Sequence, residues 1–140
     1  MKNILEIDSL SKTYHTINGE IPAIKNITLN LGNQEFIAIV GSSGCGKSTL
    51  LSILAGLDKD YEGNIKKTKK NIGYMLQTDS LLPWLSILDN CLLGLKIKKN
   101  LTPQKIIEAE RLLKKYNLIE FKDKLPSSLS GGMRQRVEWM

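Results

Sequence analysis

Aromatic residues make up only 6% of the 140-residue chain, and it has one histidine and two cysteines, Cys45 and Cys91. Thiols so few and so far apart match neither a disulfide framework nor a zinc site, and they read as two reduced, small side chains. Long apolar runs are also missing. The best candidates, residues 36–40 and the interrupted stretch 50–57, fall well short of the roughly 18 residues that cross a bilayer. The opening MKNILEIDSL has no apolar leader core and carries Glu6 and Asp8 where one would stay hydrophobic, so a cytoplasmic chain is expected. The rest is ordinary for a folded domain: 41% hydrophobic and 24% charged residues, with 20 Lys plus Arg against 14 Asp plus Glu for a net charge of +6. This balance argues against disorder, and the length allows one compact core and little room for two.

Apolar and polar residues alternate over 3–8 and at Ile27, Leu29 and Leu31, which predicts half-buried antiparallel strands bounded by the turn signals Asn18-Gly19 and Gly32-Asn33. Residues 35–40 (EFIAIV) form a continuous β-prone run of the kind covered on both faces, and 71–76 read as another short strand. Helices are expected near 47–56, 86–95 and 103–116, with one more starting at Gly131 or Gly132. In the third, Thr102 caps, Pro103 fits the first turn, and Ile106, Ala109, Leu113 and Tyr116 share a face. This order predicts an α/β core followed by a helical insertion. The basic cluster Lys66, Lys67, Lys69 and Lys70 lacks interleaved aromatics, so it reads as a solvated loop and not as a nucleic-acid surface.

Gly41, Ser42, Ser43, Gly44, Cys45, Gly46, Lys47 and Ser48 satisfy the spacing G-x-x-x-x-G-K-[ST] between an expected strand and an expected helix. Triphosphate oxygens need many donors at close range, and the glycines let backbone amides turn inward with no Cβ in the way. The helix start behind the loop adds unpaired N–H groups and the positive end of its dipole. On this reading Lys47 reaches the β- and γ-phosphates, the Ser48 hydroxyl coordinates Mg²⁺ and Thr49 donates to an α-phosphate oxygen. The alternative is a glycine turn that only links strand to helix.

A second glycine motif, residues 129–136 (LSGGMRQR), places Ser130 83 residues after Lys47. Taken alone it is a capped, glycine-rich helix start: either a second anion site or a cap with no ligand. Together the two motifs closely resemble those of the ATP-binding cassette (ABC) ATPases, and the resemblance runs from Leu5 to Arg136. It implies an incomplete P-loop NTPase core of α/β class, with an N-terminal antiparallel β section and an α-helical insertion carrying the signature motif. The corresponding partition is a nucleotide-binding core over 1–79, a helical subdomain over 80–130 and the start of the signature helix over 131–140. The implied ligands are ATP and Mg²⁺. The implied assembly is a head-to-tail pair of cassettes, in which Ser130, Gly131 and Gly132 of one face the nucleotide held by Lys47 of the other.

The same resemblance assigns Tyr14, in SKTY, to stacking on adenine, where a tyrosine beside a strand otherwise means packing. It assigns Gln77 to the loop that contacts Mg²⁺ and the attacking water and abuts the membrane partner. Residues 81–95 look like the importer ATPases of the nitrate, sulfonate and taurine group. Leu81, Leu82 and Trp84 are then either docking anchors for a permease or core packing of the insertion. The expected partners are a second cassette subunit, transmembrane permease subunits that hold the chain at the inner face of the cell membrane, and an extracytoplasmic substrate-binding protein, with no nucleic acid. Hydrolysis in this family also needs an Asp that helps hold Mg²⁺, a neighbouring Glu as general base and a later His. After the signature only Glu138 occurs, preceded by neither an apolar strand nor an Asp, and no His, so a C-terminally truncated chain with little or no ATPase activity is expected. The alternatives are a non-catalytic nucleotide-binding remnant and an ABC ATPase of DNA repair or translation.

Overall fold

The computed structural model describes residues 3–68, 72–78 and 80–140. The chain packs as two units, Met1–Tyr74 and Met75–Met140. In the first, β1 (Asn3–Thr16), β2 (Gly19–Gly32) and β3 (Glu62–Lys67) form a sheet of order β2-β1-β3, and helix α1 (Lys47–Ala55) follows β2 in the chain. Both pairings are antiparallel, with Ile7 opposite Leu29 on one side and Ile65 on the other. The β1–β2 hairpin closes where Gly19 takes φ 120, and the Thr16 hydroxyl donates to the Gly19 carbonyl at 2.8 Å.

β1 is longer than its alternating pattern because bulges interrupt the alternation. The register shifts between Ile7 and Leu10 and again between Leu10 and Lys12. Ser9 and Asn26 adopt φ 54 and 50 there, and their amides donate to Thr28 Oγ1 and Ser11 Oγ, both at 3.0 Å. The irregular backbone is therefore satisfied by hydroxyl side chains. Ile7, Leu10 and Ile24 of the sheet bury against Leu50 and Ile53 of α1. Such burial contributes about 1.5–3 kcal/mol per large aliphatic side chain.

Three expectations change in this unit. The lysine-rich segment is no loop as far as Lys67: Lys66 and Lys67 lie in β3, opposite Glu6 and Leu5, while Lys69 and Lys70 lie outside the described residues. Ile65 packs on the core, and Gly63, at φ 97, passes so close to β1 that a Cβ would lie 2.5 Å from the Ser9 carbonyl oxygen. Exposed lysines are what an edge strand carries, so the charge that argued for a loop instead blunts an edge. Residues 35–40 form no strand, and Phe36 and Val40 are 90% and 91% exposed, because no described strand lies beside them to complete a ladder. Residues 72–76 are likewise irregular, and Asn71 lies outside the described residues.

The second unit is helical: α2 (Ile87–Ile97), α3 (Pro103–Lys115) and α4 (Gly131–Glu138), with single 3₁₀ turns at Ile119–Phe121 and Pro126–Ser128. Ile87, Leu113, Leu118, Leu129 and Val137 form its buried core. The Ser86 hydroxyl caps α2, accepting from the Asp89 amide at 3.1 Å and donating to Asp89 Oδ2 at 2.9 Å. Thr102 caps α3 through the Lys105 amide at 3.4 Å. Ala109 and Leu113 are buried as expected, but Tyr116 sits at the C-terminal cap and is 39% exposed. Asn117, at φ 57, turns the chain away at that point. No helix among the described residues is long and apolar enough to cross a membrane.

Candidate nucleotide site

α1 begins without a side-chain cap. Its cap residue is Gly46, at φ 92, and no acidic residue occupies its first turn. A Cβ on Gly46 would lie 2.2 Å from the Ala23 carbonyl oxygen, so both the backbone conformation and the approach to β2 require glycine here. With no side-chain oxygen taking the first amides, the start of this helix is left open to an anion.

The loop ahead of α1 curls around a cation. Lys47 Nζ donates to the carbonyls of Gly41 at 2.8 Å and Ser42 at 2.6 Å, and lies 3.4 Å from Cys45 Sγ. The Cys45 amide closes the turn by donating to the Ser42 carbonyl at 3.4 Å. Gly44 takes φ 79, and Ser43 and Ser48 are exposed. Neutral carbonyls are weaker partners for an ammonium than phosphate oxygens, so a polyphosphate in this loop would exchange bonds to a neutral acceptor for bonds between opposite charges. Mg²⁺ is usually held by one or two protein oxygens plus phosphate and water, and Ser48 in the first turn suits that pattern. No group of three or more His, Cys, Asp or Glu side chains able to hold a metal occurs among the described residues.

Tyr14 reaches this loop's helix from β1: its hydroxyl donates to Thr49 Oγ1 at 3.4 Å, and its ring is 40% exposed. Beneath it is a group that sequence reasoning passed over. Lys12 is buried at 4% exposure, with its ammonium 2.9 Å from Asp60 Oδ2, 3.3 Å from the Asp58 carboxylate, and bonded to the Asp60 carbonyl. The hydrogen bond that Lys12 donates to Asp60 raises the Lys12 pKa against the opposing effect of burial, with Asp58 adding to the rise, and Lys12 in turn lowers that of Asp60. Lysine is so seldom buried that only its place in SKTY, just after a bulge, could have drawn attention to it.

The other candidates lie in the second unit. Gln77 is exposed in a bend. Ser130 caps α4, its hydroxyl accepting from the Met133 amide at 3.3 Å, and Ser130, Gly131 and Gly132 are all exposed. Of the three residues read as docking anchors or packing, Leu81 packs on the core, Leu82 is half-buried and Trp84 is 69% exposed. The Asn90 side chain holds their turn, accepting from the Leu82 amide at 2.7 Å and donating to the Leu82, Leu85 and Ser86 carbonyls.

A glycine loop wrapped around a lysine at an uncapped helix start, set against a sheet, defines an α/β core of the phosphate-loop type. The family profile described as ABC transporter matches residues 24–140, and the chain belongs to that family. It is 44% identical to the uncharacterized ABC transporter ATP-binding protein YtlC of Bacillus subtilis, over 96% of this chain and 55% of that protein. It is 36% identical to the aliphatic sulfonates import ATP-binding protein SsuB of Bacillus cereus, over 95% of this chain and 55% of that protein. Among solved structures, the ATP-binding cassette MJ0796, in a dimeric post-hydrolysis state bound to ADP and Pi, superimposes with a TM-score of 0.81 at 33% identity. That match covers 96% of this chain and 66% of the other. The chain thus spans about half the length of the curated relatives it matches.

Proposed function

We propose that this chain supplies the nucleotide-binding part of an ATP-binding subunit that powers solute import through a separate permease. The observation that carries the reading is the Lys47 ammonium held inside the glycine loop at the uncapped start of α1. In this reading loop amides and Lys47 take the β- and γ-phosphates, and Ser48 supplies an oxygen to Mg²⁺. Thr49 bonds an α-phosphate oxygen, and Tyr14 stacks on the base. Magnesium, when bound, neutralises phosphate charge. Ser130, Gly131 and Gly132 serve the nucleotide of a second, head-to-tail cassette, and Gln77 and Trp84 face the permease at the inner side of the membrane. The sulfonate importer among the relatives supports a small anionic solute such as a sulfonate or nitrate, delivered by an extracytoplasmic binding protein.

Calorimetric titration with MgATP tests the site. The unaltered chain should bind, and Lys47→Ala should lose at least tenfold in affinity, since a charge-assisted contact to phosphate contributes about 1.5–3 kcal/mol. Equal affinity in both would overturn the assignment.

A further inference from the structure

Lys12 is the one buried charged side chain among the described residues. An aliphatic residue would fill that space without the penalty of desolvating an ammonium, so packing alone does not explain a lysine there. Its surroundings supply a reason. Lys12 and Tyr14 are two positions apart on β1. The Lys12 ammonium lies over the Tyr14 ring, 4.9 Å from its centroid. Asp58 and Asp60, in the segment that leaves α1, hold that ammonium at 3.3 and 2.9 Å. The Tyr14 hydroxyl is tied to Thr49 in the first turn of α1. One side of the ring is thus covered by a held cation, while 40% of the residue stays open to solvent.

We propose that Lys12 is a positioning residue for nucleobase recognition: clamped by Asp58 and Asp60, its ammonium sets the plane of the Tyr14 ring and draws electron density from it, so that the open face receives an electron-rich purine. The inference rests on the reading of the neighbouring loop as a nucleotide site. Lys12 itself touches neither base nor phosphate. A cation on one face of an aromatic ring makes the opposite face a better partner for an electron-rich ring, and the clamp removes the freedom the tyrosine would otherwise lose on binding.

The test separates base from phosphate. The 140-residue chain, Lys12→Met and Lys12→Arg are titrated with MgATP and with inorganic tripolyphosphate, and far-ultraviolet circular dichroism checks the fold of each. The unaltered chain should prefer MgATP. Lys12→Met should lose about three- to tenfold in MgATP affinity, the range of a partly desolvated cation–ring contact, and nothing in tripolyphosphate affinity. Lys12→Arg should restore most of the loss. If Lys12→Met weakens both ligands in equal proportion, or neither, the inference is overturned and the phosphate site stands. If the unaltered chain binds neither ligand, the nucleotide reading fails and takes the inference with it. Should Lys12→Met fail to fold, Asp60→Asn replaces it, because that carboxylate is 88% exposed and its change opens no cavity. It should show the same MgATP-only loss in smaller measure, and an equal loss for both ligands overturns the proposal.

Discussion

Two thiols in one chain meet opposite conditions. Cys45 is exposed in the loop, with its sulfur 3.4 Å from Lys47 Nζ, whereas burial pushes the Cys91 thiol up to about 11. A maleimide near neutral pH should label Cys45, which is exposed, and leave Cys91, partly buried and held as the unreactive thiol, untouched, as read by peptide mass mapping. MgATP should slow labelling at Cys45, since the alkylated position lies within the proposed cradle. The Lys12 cluster sets a dependence on pH. The folded pKa of Asp60 is depressed, so its contribution is present above the unfolded value and is lost as pH falls through the folded one. That of Lys12 is raised, so its contribution is present below the unfolded value and is lost only as pH climbs past the ordinary lysine range. Thermal midpoints should therefore fall on the acid side, below the usual carboxylate range, and that fall should be shallower in Lys12→Met.

Helix ends offer the cleanest test among the elements. Ser86→Ala removes both the acceptor for the Asp89 amide and the donor to its carboxylate, and it should destabilise α2 by about 0.5–2 kcal/mol in urea titration. Thr102→Ala, which removes a longer contact of 3.4 Å, should cost less. Helices were legible for the same reason that they are testable: Thr102, Pro103 and the glycine at 131 are local signals that act without distant partners. The strands were less so. Alternation revealed the first residues of β1 but stopped at the bulge, where Ser9 and Asn26 reset the faces. β3 was hidden by its lysines, and residues 35–40 read as a strand because hydrophobicity reports the wish for partners and not their presence.

For the whole molecule, family membership was legible because two glycine motifs stand in the order and at the separation of the family they resemble. The buried Lys12 was not, because its burial depends on Asp58 and Asp60 arriving from 46 and 48 residues away. Nucleotide binding and turnover should separate in this chain. General-base catalysis typically supplies about 10²–10⁴-fold, and among the described residues Lys47 and its loop are bonded to Gly41, Ser42 and Cys45 and to no carboxylate. A phosphate-release assay on the purified 140-residue chain should show turnover at or near background, and robust Lys47-dependent turnover would refute this.

The uncovered run at 35–40 sets how the chain keeps company. Six residues rich in Ile, Val and Phe, with amides and carbonyls unclaimed by any ladder among the described residues and no charge after Glu35, make a template on which another extended segment can zip. Aggregation of the purified chain should therefore begin along Phe36 to Val40, and a charged residue in place of Ile39 should slow it, as light scattering would read.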